Sequence, residues 1–193
     1  GVLNQDAFSI VKNQIKSACV ESNRSINEVQ IIAVTKTFDI IAIEAALNAG
    51  IYCIGENKVQ EVEFKIPQIQ NRQVSEIHFI GHLQSNKVRK ILKYVDVIET
   101  VDSIKIAKRI NSISEELDIV SNIYIQVNTG NDPLKYGFQV EEIMGVASNI
   151  SKMKNLNLTG IMTIPSINNS YQKLNTIFKN TRRIRDDIQS QIN

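Results

Sequence analysis

A chain of 193 residues is long enough for one well-packed domain and too short for two comfortable ones. With 42% hydrophobic and 22% charged residues it is not wholesale disordered, and a formal net charge of +2 gives no footing for nucleic-acid binding. No apolar run approaches the ~20 residues that cross a bilayer, and Gly1 to Asp6 lacks the basic flank and apolar core of a secretory signal, so a cytoplasmic location with no membrane partner is expected.

Phe8, Val11, Ile15, Ala18 and Cys19 recur at helical spacing from about Gln5 to Ser22, so the first helix is expected to cover one end or flank of the fold. Ile31-Ile32-Ala33-Val34-Thr35-Lys36-Thr37 is a β-branched run that reads as a buried strand ending on a lysine. Asp39 opens a helix with Ile40, Ile43, Ala46 and Leu47 on one face, stopped at Gly50. Ile51 to Ile54 reads as the second strand, Gly55-Glu56-Asn57 as a turn, and about Lys58 to Gln70 as the next helix. Glu76 to Gly81 is the third strand, followed by Gln84-Ser85-Asn86-Lys87 and a helix containing Val88, Ile91 and Leu92, with Ser85 and Asn86 read as its caps. Val95 to Thr100 is the fourth strand, and Ser103 caps a helix to Leu117. Ile123 to Asn128 is the fifth, followed by the loop Thr129 to Pro133 and a helix from about Val140 to Lys152. Leu156 to Thr163 is the sixth, broken by Pro165, and Tyr171 to about Ile188 is a basic helix.

One helix followed by six strand-helix units, without hairpin signals, calls for a parallel sheet. The first loop has no G-x-G-x-x-G, which lowers the dinucleotide-binding open sheet. A (β/α)8 TIM-barrel type remains, and since that fold needs about 250 residues, its last two units are expected to be missing from this chain. Residues 1–193 read as a single domain.

Cys19 and Cys53 are isolated and read as small core residues. His78 and His82 are four residues apart, but on a strand that interval spans roughly 13 Å, and no third ligand accompanies them, so no metal site is expected. Lys36 carries more weight. Strand alternation puts it on the face of Val34 and Ile32, opposite Thr35 and Ala33. It is either a surface lysine just past a strand or, if that face lines a closed barrel, an amine in an apolar cup. Desolvation there favours the neutral nucleophile that forms a Schiff base with an aldehyde.

Four motifs fall at strand ends: Thr35-Lys36-Thr37, Gly55-Glu56-Asn57-x-x-Gln60-Glu61, His78-Phe79-Ile80-Gly81-His82-Leu83-Gln84-Ser85-Asn86-Lys87 and Gly160-Ile161-Met162-Thr163-Ile164-Pro165. In this order the chain, from about Ile31 to Pro165, resembles the pyridoxal 5'-phosphate homeostasis protein family, single-domain relatives of the alanine racemase barrel. The resemblance implies an alanine racemase N-terminal-like barrel and pyridoxal 5'-phosphate as cofactor. It implies Lys36 as the lysine in Schiff-base linkage, Asn57 near the cofactor ring and Met162 against the pyridine face. By itself Asn57 is equally a helix N-cap, and Met162 an ordinary core thioether. Lys135 matches a family lysine but reads as a solvated surface charge.

Two departures stand out. His82 occupies a position where the family carries proline, and the family's seventh and eighth strands, which hold the phosphate and pyridine nitrogen, have no counterpart here. The resemblance implies a non-catalytic cofactor-binding protein of vitamin B6 homeostasis, with B6-dependent enzymes as its partners and an oligomeric state left open. The alternatives are a pyridoxal-phosphate-dependent racemase-type enzyme, then a Schiff-base aldolase, then a scaffold that pairs through exposed sheet edges.

Overall fold

The structure, a computed structural model, describes residues 3–36, 38–69 and 73–192. Thr37 of the first strand-end motif, and Gln70 at the expected end of the third helix, lie outside the described residues. The helices are α1 (Gln5–Glu21), α2 (Ile40–Asn48), α3 (Val59–Lys65), α4 (Val88–Leu92), α5 (Ile104–Glu116), α6 (Ile143–Ser151) and α7 (Tyr171–Ile192). The strands are β1 (Ile32–Val34), β2 (Cys53–Glu56), β3 (Glu76–Phe79), β4 (Val97–Val101), β5 (Ser121–Gln126) and β6 (Leu156–Met162).

Among the described residues, short polar side chains start four of the helices, one of them Ser170, whose hydroxyl accepts from the Lys173 N–H at the start of α7. Asn4 accepts from the Ala7 N–H, Asp39 from that of Ile41 and Ser103 from that of Ile106, each satisfying a donor that the first turn leaves open. Elsewhere the expected caps are absent. Lys58, not Asn57, precedes α3, and it makes no side-chain cap. Ser85 and Asn86 lie inside a 3-10 turn, Ser85–Lys87, that leads into α4 without a side-chain cap.

Among the described residues six strands, all parallel, lie side by side in chain order from β1 to β6. Strand order that follows chain order, without reversal, is that of a barrel wall and not of a doubly wound sheet. Right-handed crossovers place the connecting helices on one side. Ile77, Phe79, Ile98, Ile123 and Ile125 of the strands meet Val62, Ile91, Ile110, Ile113 and Ala147 of the helices in one core, and Ile54 meets Ile43 and Ala46 in a smaller one. α1 departs from expectation. Its apolar spacing is helical, yet only Cys19 is buried and Val11 is 43% exposed, because Phe8 alone packs partly against the smaller core.

Phe79 is fully buried in the larger core. Phe79→Ala is expected to destabilise the protein by about 3–5 kcal/mol through lost transfer energy and the cavity left behind. Urea unfolding should show a lower midpoint with an unchanged slope.

Candidate functional site

The sheet face turned away from the helices carries polar and ionisable side chains, and the loops at the C-terminal strand ends complete it. Lys36 follows β1 directly, alternating with Val34 and Ile32 as the strand period requires. It is exposed, and Val34 beside it is 47% exposed. The amine stands on exposed inner surface, with β2 as the strand paired to β1 among the described residues.

The residue before it is the opposite. Thr35 is buried and held through three groups: its N–H donates to Gly55 O (3.2 Å), its hydroxyl to Glu56 Oε1, and its carbonyl accepts from Lys65 Nζ at 2.6 Å. Glu56 and Lys65 are themselves 0% and 2% exposed, and the Lys65 ammonium also reaches both Glu56 oxygens (3.1 and 3.3 Å) and Glu61 Oε1 (3.3 Å). The sequence reading missed this cluster. The i,i+4 spacing of Glu61 and Lys65, and a glutamate inside a β-strand, were the signals that pointed to it.

Asn57 is half-buried at the end of β2, its backbone against the β3 loop. Gly81 permits that approach, since a Cβ there would collide with the Asn57 carbonyl group, and Ile80 N–H donates to Glu56 O (2.9 Å). Met162 is the half-buried last residue of β6, opposite Gln126 in register. Lys36, Asn57 and Met162 thus share the C-terminal end of the sheet, the first two on neighbouring strands and Met162 on β6. Lys135 is exposed in the loop after β5.

Deeper on the inner face lies a charged layer. His78 is 1% exposed between two carboxylates, with Nδ1 2.7 Å from Glu99 Oε2 and Nε2 2.8 Å from Glu76 Oε2. Burial disfavours the imidazolium, but hydrogen bonds and charge from Glu99 and then Glu76 outweigh it and raise the His78 pKa above its ordinary value. Tyr124 stands edge-on to the imidazole at 6.1 Å, above Gly160, and burial followed by the charges of Glu99 and Glu76 pushes its phenol up.

At the mouth, His82 Nδ1 lies 3.2 Å from Asp102 Oδ2, and its ring stacks on Tyr136 at 4.0 Å and 11°. The loop that supplies Tyr136 is folded back by Asn128, which donates to Asp132 O and Lys135 O and accepts from Asp132 N–H. A cleft of about 500 Å³ opens beside this pair, lined by Gln84, Ser85, Asp102 and Lys105 among others. Among the described residues no group of three or more His, Cys, Asp or Glu side chains is placed to hold a metal ion.

Residues 11–193 match the family described as alanine racemase, N-terminal domain. A pyridoxal phosphate homeostasis protein of Haemophilus influenzae is 35% identical over 188 residues, covering 93% of this chain and 79% of that one. The chain belongs to the pyridoxal phosphate homeostasis protein family. An unknown protein from Bifidobacterium adolescentis superposes with a TM-score of 0.91 at 32% identity, covering 96% of this chain and 79% of that one. PipY of Synechococcus elongatus, solved with pyridoxal phosphate bound, gives a TM-score of 0.78 at 27% identity, covering 92% and 82%. The expected alanine racemase N-terminal-like α/β barrel fold is the fold observed, with six parallel strands.

Because the folded His78 pKa lies above that of the unfolded chain, its contribution to stability is fully present below about pH 6.5 and is lost as pH rises through the raised value. Urea titrations from pH 6 upward should therefore show the stability difference between wild type and His78→Gln shrinking with pH. A pH-independent difference would exclude the two-carboxylate clamp on a charged imidazole.

Proposed function

We propose that this chain binds pyridoxal 5'-phosphate reversibly through Lys36, with Asn57 and Met162 beside the cofactor ring, and acts without catalysis in vitamin B6 homeostasis. On this reading residues 1–193 work as one cofactor-binding domain in the cytoplasm and pass the cofactor to B6-dependent enzymes. When bound, the cofactor offers an aldehyde that a neutral primary amine attacks reversibly.

The donor set fits such a group. An accessible amine, an amide and a thioether lie at the C-terminal strand ends, where parallel α/β folds carry their sites. The observation that carries the reading is Lys36 itself, exposed on the inner face directly after a buried, triply bonded Thr35. Family membership supports the same assignment, since relatives carry the homeostasis name and PipY has been solved with pyridoxal phosphate.

The inner-face acid-base groups speak against turnover. Racemisation needs a mobile acid or base on each face of the substrate carbon. His78 is clamped on both nitrogens and so is not a free proton shuttle, and the raised pKa of the Tyr124 phenol disfavours it as a base. One observation favours the racemase-type alternative. Asp102 orients His82 at the mouth, and a carboxylate-oriented imidazole is general-base chemistry.

Borohydride reduction of protein treated with pyridoxal phosphate, followed by peptide mass mapping, should place the adduct on Lys36. Lys36→Ala should abolish it with the urea midpoint nearly unchanged, because the side chain removed is exposed. An adduct on Lys87 or Lys135 with Lys36 unmodified would overturn the assignment. Deuterium incorporation at the α-carbon of amino acids, above the rate with cofactor alone, would move the conclusion to the racemase-type enzyme.

A further inference from the structure

We propose that Lys65 is a positioning residue for Lys36, its buried ammonium fixing the peptide from which the Lys36 side chain springs. The inference rests on the reading of Lys36 as the cofactor amine.

The geometry is specific to that peptide. The Thr35 carbonyl belongs to the peptide unit joining Thr35 to Lys36, and that unit is planar, so fixing the carbonyl fixes the bond that leads into the Lys36 backbone. Lys65 Nζ approaches this oxygen at 2.6 Å, the shortest of its four contacts, against 3.1 to 3.3 Å to the carboxylates of Glu56 and Glu61. The same oxygen accepts the Phe38 N–H at 3.3 Å, closing the turn that contains Lys36. A lysine serving only as counter-ion for Glu56 has no need of the carbonyl.

The strand itself cannot supply this restraint. β1 is three residues long, and among the described residues β2 is the strand it pairs with. Beyond Val34 the chain is tied to the rest of the fold through Thr35, whose N–H, hydroxyl and carbonyl go to Gly55, Glu56 and Lys65, all within the β2–α3 unit that also carries Asn57. The ammonium therefore sets Lys36 and Asn57 in one frame. Covalent capture is sensitive to such placement, since an amine must meet the aldehyde carbon along a narrow approach, while ring and phosphate contacts tolerate small shifts.

Two probes separate positioning from bulk stability: pyridoxal 5'-phosphate, and pyridoxine 5'-phosphate, which carries a hydroxymethyl group in place of the aldehyde. The ratio of their affinities measures what the Lys36 amine adds. In Lys65→Met this ratio should fall about tenfold or more while pyridoxine 5'-phosphate binds within about twofold of wild type. Should Lys65→Met not fold, Glu56→Gln/Lys65→Met leaves no unmatched charge between those two residues and is judged by the same ratio. Lys65→Arg, which keeps a donor for the carbonyl, should recover part of it. An unchanged ratio, or equal losses for both probes, would overturn the positioning role. If wild type shows no aldehyde-dependent gain and no borohydride-trapped adduct on Lys36, the cofactor reading fails and the inference fails with it. An adduct on wild-type Lys36 together with an unchanged variant ratio sinks the inference alone.

Discussion

Parallel strands laid down in chain order impose the constraint from which the remaining architecture follows. Each right-handed crossover returns its helix to the same side, so every strand has a helix-facing set of residues and an inner set. Apolar side chains of β3, β4 and β5 fill the first set, and Glu76, His78, Glu99 and Tyr124 fall in the second. Glu56 is the exception that shows the rule's strength. A carboxylate on the helix side of β2, 0% exposed, is tolerated because α3 brings the Lys65 ammonium to it.

Buried charges of this kind are weak sources of net stability, since desolvating each ion costs several kcal/mol and pairing only offsets that. Their effect is geometric. The Thr35–Glu56–Lys65 cluster links the end of β1 to β2 and α3, and the Glu76–His78–Glu99 chain links β3 to β4. The second link sits at a break in the ladder: β3 and β4 share two register positions, and the β4–β5 pairing shifts between Ile98 and Val101. An irregularity of that sort re-aims side chains. Here Glu99 reaches His78 and Thr100 Oγ1 reaches Gly81 O (2.6 Å), so the strand is tied to its neighbour by side chains where backbone pairing lapses.

Strand-helix alternation was legible because valine and isoleucine runs separated by Gly, Asn and Ser leave few other parallel arrangements. The position of Lys36 was legible for the same reason: a strand that ends on a lysine places it at the C-terminal rim whatever the sheet does next. What covers a face was not legible. The apolar spacing of α1 forms a helix but cannot name its packing partner, and α1 stays largely exposed. Partners distant in sequence were equally hidden. Glu76 shares a strand face with His78 and could be paired by period alone, whereas Glu99 requires the β3–β4 register, and Tyr136 reaches His82 only because Asn128 folds its loop back. The Asn57 cap reading failed because the chain stays extended through Lys58, and Asn57 packs its backbone on Gly81 instead.

On the proposed reading, the arrangement sets the Lys36 amine apart from the acid-base groups deeper on the inner face. On that reading, holding a cofactor reversibly calls for an amine that aldehydes can reach, and Lys36 is exposed with the carbonyl of the preceding Thr35 held by Lys65 from behind. Moving protons on a substrate carbon calls for groups free to gain and lose them, and on the inner face the imidazole of His78 is saturated by two carboxylates while the phenol of Tyr124 is pushed up by burial and by those same charges. Those carboxylates therefore act twice, raising the His78 pKa and adding to the rise that burial gives the Tyr124 phenol. Under the carrier reading, the charged layer that fastens β3 to β4 also keeps acid-base chemistry away from the amine on β1.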